Sequence, residues 1–262
     1  MLIDFHIHMF PPRPEFDPVT KPNEAMLAIK EKTPGELKNR LIEMGVSHAV
    51  VQHVSPAPEL TKLCNEFAGE LAAGYDGFYF QYGAYHAGNS PDDLYELKES
   101  GVFQGVKLQP YLQRFDVDDS RMYPAYEVMS SLKLPVLIHT GRDLRDAKLS
   151  YGFPDRVAKI HRDFPDLTII SAHLGGMWMY DEAEQFVVGT DMYIDVTGSV
   201  FFCDPARYKK ILDRHDPDRI LFGSDCPAGT PQKELEFLER LNLGSDRMEK
   251  ILYKNAQRLL GI

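Results

Sequence analysis

Residues 2–8 read LIDFHIH, an apolar, strand-like run that ends on two histidines separated by one isoleucine. Alternate side chains of a β-strand share a face, so His6 and His8 would stand side by side about 7 Å apart. Two neutral imidazoles converging there can bind a metal ion, although H-x-H alone equally suits packed or surface histidines. Working outward, runs of the same kind recur: HAVVQHV (48–54), GFYFQYGAY (77–85), GVKLQPY (105–111), PVLIHTG (135–141), LTIISAH (167–173), MYIDVTG (192–198) and RILFGSD (219–225). Several are near-continuous runs rich in Val, Ile and Phe, as expected of parallel strands covered on both faces.

Amphipathic helical patterns lie between these runs. TPGELKNRLIEMG (33–45) offers Thr33 as N-cap, Pro34 in the first turn and Gly45 as the stop. Similar patterns occupy 58–73, 91–100, 122–133, 153–164, 179–188 and 204–215, and two more, 232–242 and 245–261, follow the eighth strand. Strands and helices alternating in this way predict one α/β domain over 1–262, a distorted TIM (β/α)8 barrel with an extra C-terminal helix. An open doubly wound sheet would more often place a Gly-rich phosphate turn after the first strand, and none stands there. The longest connection, PPRPEFDPVTKP (11–22), carries five prolines, which disfavour a helix and predict an ordered or semi-rigid loop.

The hydrophobic fraction of 44% is that of a chain able to bury a sizeable core. A formal net charge of −10 argues against an extended nucleic-acid or acidic-membrane surface, since both need a basic footprint. It leaves a small-molecule substrate and a homo-oligomer open. Three scattered cysteines, Cys64, Cys203 and Cys226, suggest neither a disulfide framework nor structural zinc, so a reducing compartment is expected. With no basic leader and no apolar run of about 18 residues, the expected location is the cytoplasm.

In such a barrel the C-terminal strand ends meet at one mouth, where chemistry is carried out. His6 and His8 close the first strand, Lys107 lies near the end of the fourth, His139 ends the fifth, His173 the sixth and Asp225 the eighth. One buried histidine is usually a packing residue. Four at one rim, with a carboxylate, point to a bound ion.

The ordered set DFHIH, VKLQP, LIHTG, SAHLGG and LFGSD resembles the amidohydrolase superfamily. The closer likeness is to its amidohydrolase-2 branch of metal-dependent hydrolases and aminocarboxymuconate-semialdehyde-decarboxylase-like enzymes, and the ending NAQRLLG is similar to that branch's terminal helix. The resemblance implies that His6, His8, His139 and Asp225 hold one divalent ion, Zn²⁺ or else Mn²⁺. His173 is then a ligand of a second ion or a catalytic histidine beside the first. In some superfamily members a carboxylated lysine ends the fourth strand and bridges two metals; Lys107 stands at that place, so it is a second-metal or a substrate residue, with one ion favoured over two. Short members of the branch often continue this strand with histidine, whereas Gln109 stands here, so no role transfers to position 109.

Residue chemistry supplies roles. A divalent ion makes bound water acidic, with a pKa near about 7 in known zinc sites. Asp225 can take a proton from such a water as general base, and His173 can polarise a carbonyl or protonate a leaving group. The leading expectation is therefore a metal-dependent hydrolase whose metal-bound water attacks an amide, ester or lactone carbonyl of a small molecule. The alternative is a metal-dependent non-oxidative decarboxylase of a small unsaturated or aromatic carboxylic acid, which the same ligands can serve. A barrel without catalysis is disfavoured because every expected ligand type is present.

Substrate contacts are sought in the loop after strand five. There Arg142 is a candidate carboxylate fork, while Arg145 and Lys148, interspersed with Asp143 and Asp146, read as a solvated mixed-charge stretch. Tyr111 and Arg114 after strand four are further candidates, and Trp178 suits a pocket wall or helix packing equally. His53 and His86 are weak site candidates. His48, His161 and His215 read as structural or surface residues, and Cys226 as a small buried thiol.

Overall fold

The computed structural model describes residues 1–16 and 27–262. The eight runs become β1 (Ile3–Ile7), β2 (His48–Gln52), β3 (Tyr79–Ala84), β4 (Phe103–Leu108), β5 (Val136–Ile138), β6 (Ile169–Ser171), β7 (Tyr193–Asp195) and β8 (Ile220–Leu221). Each strand pairs in parallel with the next, in the order β1 to β8. Between β8 and β1 closure is made by individual bonds: Phe5 N–H to Phe222 O (2.8 Å), His8 N–H to Cys226 O (2.7 Å) and Asp225 N–H to His6 O (2.9 Å). Asp4, fully buried in β1, ties the same seam by accepting from Ser224 Oγ (2.6 Å) and Ser224 N (3.0 Å). The result is a nearly closed, distorted (β/α)8 barrel.

Helices alternate with the strands: α1 (Pro34–Glu43), α2 (Thr61–Gly74), α3 (Asp93–Glu99), α4 (Tyr123–Ser131), α5 (Pro154–Asp163), α6 (Tyr180–Phe186), α7 (Pro205–Arg214) and α8 (Pro231–Arg240). The start of α1 is set by a reciprocal cap, in which Thr33 Oγ1 accepts from Glu36 N (3.2 Å) and Glu36 Oε2 from Thr33 N (3.1 Å). Leu37 and Leu41, one turn apart, bury the inner face of α1 against the sheet. A second apolar cluster joins Ile3 and Phe5 of β1 to Val50, Tyr82, Leu137, Ile170, Tyr193 and Leu221. Residues from seven strands can meet only on the barrel axis, so this is the interior layer.

The sequence reading overestimates the later strands. LTIISAH and RILFGSD shorten to three and two ladder residues. The first leaves the sheet early where His173 and Leu174 turn into the left-handed region, with φ of 60° and 54°. The amide of Phe222, for its part, bonds Ile251 O of the C-terminal segment (3.0 Å) rather than β7. That bond also bears on the extra C-terminal helix, which is interrupted: α-helical turns at Ser245–Glu249 and Asn255–Leu260 flank a π-helical stretch at Lys250–Lys254. A carbonyl engaged by the barrel accounts for the widened ladder. GVKLQPY is likewise shortened, giving way to a helical turn at Pro110–Gln113. In the proline-rich connection Pro14–Phe16 form a 3₁₀ turn, and residues 17–22 of that loop lie outside the described residues. No helix among the described residues is long and apolar enough to cross a membrane.

Candidate metal centre

The site is assembled from strand ends and the turns just past them. His6 belongs to β1 and Lys107 to β4, His8 and His139 follow β1 and β5 directly, and His173 and Asp225 sit in the turns after β6 and β8. Both turn residues have a φ of 60°. Left-handed backbone at a non-glycine residue costs about 1–3 kcal/mol and persists only where the surroundings impose it. Here His173 N–H is held by Asp195 Oδ1 (2.8 Å), Leu174 N–H by Asp195 O (2.7 Å) and Asp225 N–H by His6 O. Gly223, just before the Asp225 turn, has no room for a side chain: a Cβ there would lie 2.2 Å from Thr197 Oγ1 and 2.8 Å from His6 Cβ.

The two strand-one imidazoles have their outer nitrogens committed. His6 Nδ1 donates to Asp195 Oδ2 (2.8 Å) and His8 Nδ1 to the carbonyl of Gln52 (2.8 Å). Carboxylate and carbonyl oxygens only accept, so both protons sit on Nδ1 and both Nε2 atoms present lone pairs. Those Nε2 atoms are 3.1 Å apart, and Asp225 Oδ1 is 3.3 Å from His8 Nε2 and 3.8 Å from His6 Nε2. His6, His8 and Asp225 form the group of three whose donor atoms all lie within 4.8 Å of one another. Lone pairs and a carboxylate facing each other at this range repel unless a cation stands among them. The donor set thus fits a divalent ion, held by His6 Nε2, His8 Nε2 and Asp225.

A second pair stands opposite. His173 Nδ1 donates to Thr197 O (2.9 Å), His139 Nε2 to Arg142 O (2.9 Å), and the remaining nitrogens, His173 Nε2 and His139 Nδ1, face each other at 2.9 Å. The ring centres of His173 and His6 are 5.4 Å apart, so four histidines share one rim. His139, expected with the first ion, is turned toward His173 and lies outside the group of three.

Electrostatics follow from burial. Asp225 is pushed upward by desolvation, but the neighbouring His8, His6 and His173 imidazoles pull it well below the carboxylate range. Asp195 is desolvated too, yet His6 brings it down to about 2, so it stays ionised behind that ring. Burial and then Lys107 depress His6 to about 3, and burial with His173 holds His139 well below its ordinary value. The Lys107 ammonium, fully enclosed, lies 3.2 Å from His6 Nε2, and burial lowers it to about 8 despite Asp195, Asp225 and Asp143.

A cavity of about 880 Å³ opens onto the site. Its lining includes His8, His139 and Asp225, the apolar Met9, Phe10, Leu37, Val54, Phe67 and Leu112, and the charged Arg13, Lys30, Glu31 and Lys32. Arg145 lines it as well, gripped by Asp143 at 3.0 and 3.2 Å, while Gln109 Nε2 donates to Asp143 Oδ2 (3.0 Å). Arg142 does not line the cavity and meets the site through its carbonyl. Tyr111 lies near Tyr151 (6.5 Å), and Trp178 packs edge-on against Phe202 (4.8 Å). His53 is buried on Gln81 Oε1 (2.7 Å), His86 accepts from Gly88 N (3.0 Å), and His161 and His215 pair with Asp191 and Met192 O.

Sequence reasoning passes over Asp195, Gln52 and Thr197, the partners that orient the rings. Asp195 had a signal, a lone carboxylate in the apolar run MYIDVTG. The two carbonyls had none, because any residue carries one.

Comparison with known proteins agrees with this architecture. An uncharacterised TIM-barrel protein from Bordetella bronchiseptica superposes with a TM-score of 0.77 at 23% identity, over 99% of this chain and 98% of that one. The 5-carboxyvanillate decarboxylase of Sphingomonas paucimobilis gives 0.76 at 14% identity, over 100% and 99%. A dihydroxybenzoic acid decarboxylase from a Polaromonas species, with bound manganese and 2-nitroresorcinol, gives 0.75 at 16%, over 99% and 96%. At such identities the likeness is one of fold. A dihydroorotase from Edwardsiella ictaluri is 31% identical over 117 residues, 41% of this chain but only 32% of that protein, so the match spans about a third of the relative's length. The Amidohydrolase family pattern, in its amidohydrolase-2 form, matches residues 3–262. Histidines and aspartate at the barrel mouth and a match along nearly the whole chain lead to one conclusion: the chain belongs to the amidohydrolase family.

Proposed function

We propose that this protein is a metal-dependent non-oxidative decarboxylase of a small unsaturated or aromatic carboxylic acid, working with one divalent ion. The observation that carries this reading is the cavity, which brings His8, His139 and Asp225 together with mostly apolar walls. Such walls accept a flat, unsaturated body and disfavour charge localised on a carboxylate relative to neutral CO₂. The decarboxylases among the structural neighbours, one holding manganese, support the same choice. It reverses the order expected from sequence, where hydrolysis led.

A divalent ion at His6, His8 and Asp225 supplies Lewis-acid polarisation of the substrate's oxygens. The protein's own groups must then orient the acid and manage one proton. The bond to the carboxyl carbon breaks, its electron pair stays on the substrate, CO₂ departs, and a proton takes its place. Of the site's imidazoles and carboxylates, His8, His139, Asp143 and Asp225 line the cavity, whereas His6 and His173 do not. Asp225, ionised at neutral pH, is placed to receive a proton and pass it to the substrate carbon.

Hydrolysis is the second reading, favoured by the partial likeness to dihydroorotase. There Asp225 would accept the proton of the attacking water. The two readings part on one experiment. Protein loaded with Zn²⁺ or with Mn²⁺ is incubated with a panel of hydroxylated benzoic acids and enoic acids, and CO₂ release is measured beside hydrolysis of cyclic amides, lactones and esters. Chelator-sensitive CO₂ release, lost in Asp225→Asn, is expected. Turnover of the amides or lactones with no CO₂ from any acid would overturn decarboxylation in favour of hydrolysis. Elemental analysis of the same preparations is expected to find one ion per chain, and two would overturn the single-ion assignment.

A further inference from the structure

Gln109 and the mixed-charge stretch after β5 take no part in the chemistry above, yet the fold joins them. Gln113 secures the chain just past β2, β3 and β4: its Oε1 accepts from Gln109 N (2.8 Å), and its Nε2 donates to Ser55 O (3.1 Å) and Tyr85 O (2.6 Å). From that footing Gln109 Nε2 donates to Asp143 Oδ2 (3.0 Å). Asp143, only 2% exposed, also accepts from Arg145 Nη1 on both oxygens (3.0 and 3.2 Å) and from Arg145 N–H (2.9 Å). The turn is closed by Asp146 N–H on Asp143 O (3.0 Å) and pinned by Arg142 N–H on Met177 O (2.9 Å). Arg145 is thereby fixed at its backbone and at its head, so freedom that an arginine ordinarily loses on gripping a ligand is already lost in the fold.

Gln109, Asp143 and Arg145 all line the cavity. His139 Nε2, the nitrogen opposite the one facing His173, meets Arg142 O (2.9 Å), so the turn begins on the side of His139 away from His173. Charge in the cavity leans the same way. Among its described lining residues Arg13, Lys30, Lys32 and Arg145 outnumber Glu31, Asp143 and Asp225, and Asp225 serves the ion site. This balance runs against the −10 of the whole chain and favours an anion. An anchor on the carboxyl that departs as CO₂ would stabilise it before its bond breaks and slow the reaction. An anchor on a second anionic group acts equally before and during bond breaking, and aids binding alone.

We propose that Arg145, aimed by Asp143 and Gln109, determines specificity by receiving a second carboxylate of the substrate, so that the preferred acids are dicarboxylic. A guanidinium donates from three nitrogens and can match a carboxylate with two parallel bonds. The proposal deepens the decarboxylation reading and rests on it for the carboxyl that leaves.

The test reads binding without turnover. Zn²⁺-loaded protein is titrated by calorimetry with benzoate and with each of the three benzenedicarboxylates. The best-fitting diacid is expected to bind at least about tenfold more tightly than benzoate, the scale of one charge-assisted hydrogen bond. Arg145→Gln should remove that advantage and leave benzoate within about twofold of the wild type. Gln109→Leu keeps the charge but loosens Asp143, and should cut the advantage by about threefold. A merely structural loss would weaken both ligands alike. No diacid preferred by the wild type, a preference intact in Arg145→Gln, or benzoate and diacid weakened in equal measure would each overturn the assignment. Arg145→Lys keeps Asp143 paired and repeats the test should the glutamine variant not fold; it loses the planar fork, and an undiminished preference there would overturn the assignment as well. Failure of the decarboxylation reading shows separately, as absent CO₂, and does not alter these affinities.

Discussion

The two histidine pairs at the barrel mouth are built alike and equipped differently. In each, the outer ring nitrogens donate to groups that only accept, leaving two inner nitrogens about 3 Å apart. The pair from strand one is backed by a carboxylate, Asp195, and has a second carboxylate, Asp225, beside its lone pairs. The pair from strands five and six is backed by two backbone carbonyls, of Thr197 and Arg142. Charge therefore divides the labour. The first pair is suited to a divalent cation, while the second falls outside the group of three donors that could hold one among the described residues.

If that division is right, the largest effect comes from the first pair. Asp225→Asn or His8→Ala should abolish metal loading and lower turnover by on the order of 10³-fold, measured by elemental analysis beside a CO₂-release assay. Full metal content in either variant would erase the distinction between the pairs. His173→Asn should keep close to one ion per chain and still lower turnover by about 10²-fold. Loss of the ion in that variant would make the second pair a ligand set like the first.

A smaller effect is expected one layer out. Asp195→Asn leaves shape intact but removes the charge behind His6, and metal affinity should fall by about 10–100-fold in a competition titration with a chelating dye. An unchanged affinity would mean that the carboxylate backing adds nothing over a carbonyl. The smallest effect serves as a reference imidazole outside both pairs. Burial, only partly offset by Gln81, holds His53 down at about 4, so the unfolded chain binds its proton first as pH falls from 6.5 toward 4. Stability from this residue thus declines on acidification, by about 1 kcal/mol between roughly pH 6.5 and 5.5. Thermal melts of metal-free wild type and His53→Gln at those two pH values should show the larger loss in the wild type.

Much of this was legible before folding. The βα rhythm, the N-cap at Thr33 and the rim positions of His6, His8, His139, His173 and Asp225 all follow from local pattern, because strand period and helix capping are written in neighbouring residues. The lengths of β6 and β8 were not, since they end where distant partners take over: Asp195 on the His173 turn, and Ile251 on Phe222. Arg142 shows the same limit from another side, its guanidinium inviting a substrate role while its carbonyl alone reaches the site.

Order along the chain, then, is sufficient for the barrel and for which residue types reach its mouth, because both depend on spacing and hydrophobicity. Which nitrogen of each imidazole carries the proton, and hence where a cation is welcome, depends on Asp195 and on the carbonyls of Gln52, Thr197 and Arg142. A backbone carbonyl looks the same at every position of a sequence. Only the folded chain decides which one a histidine meets.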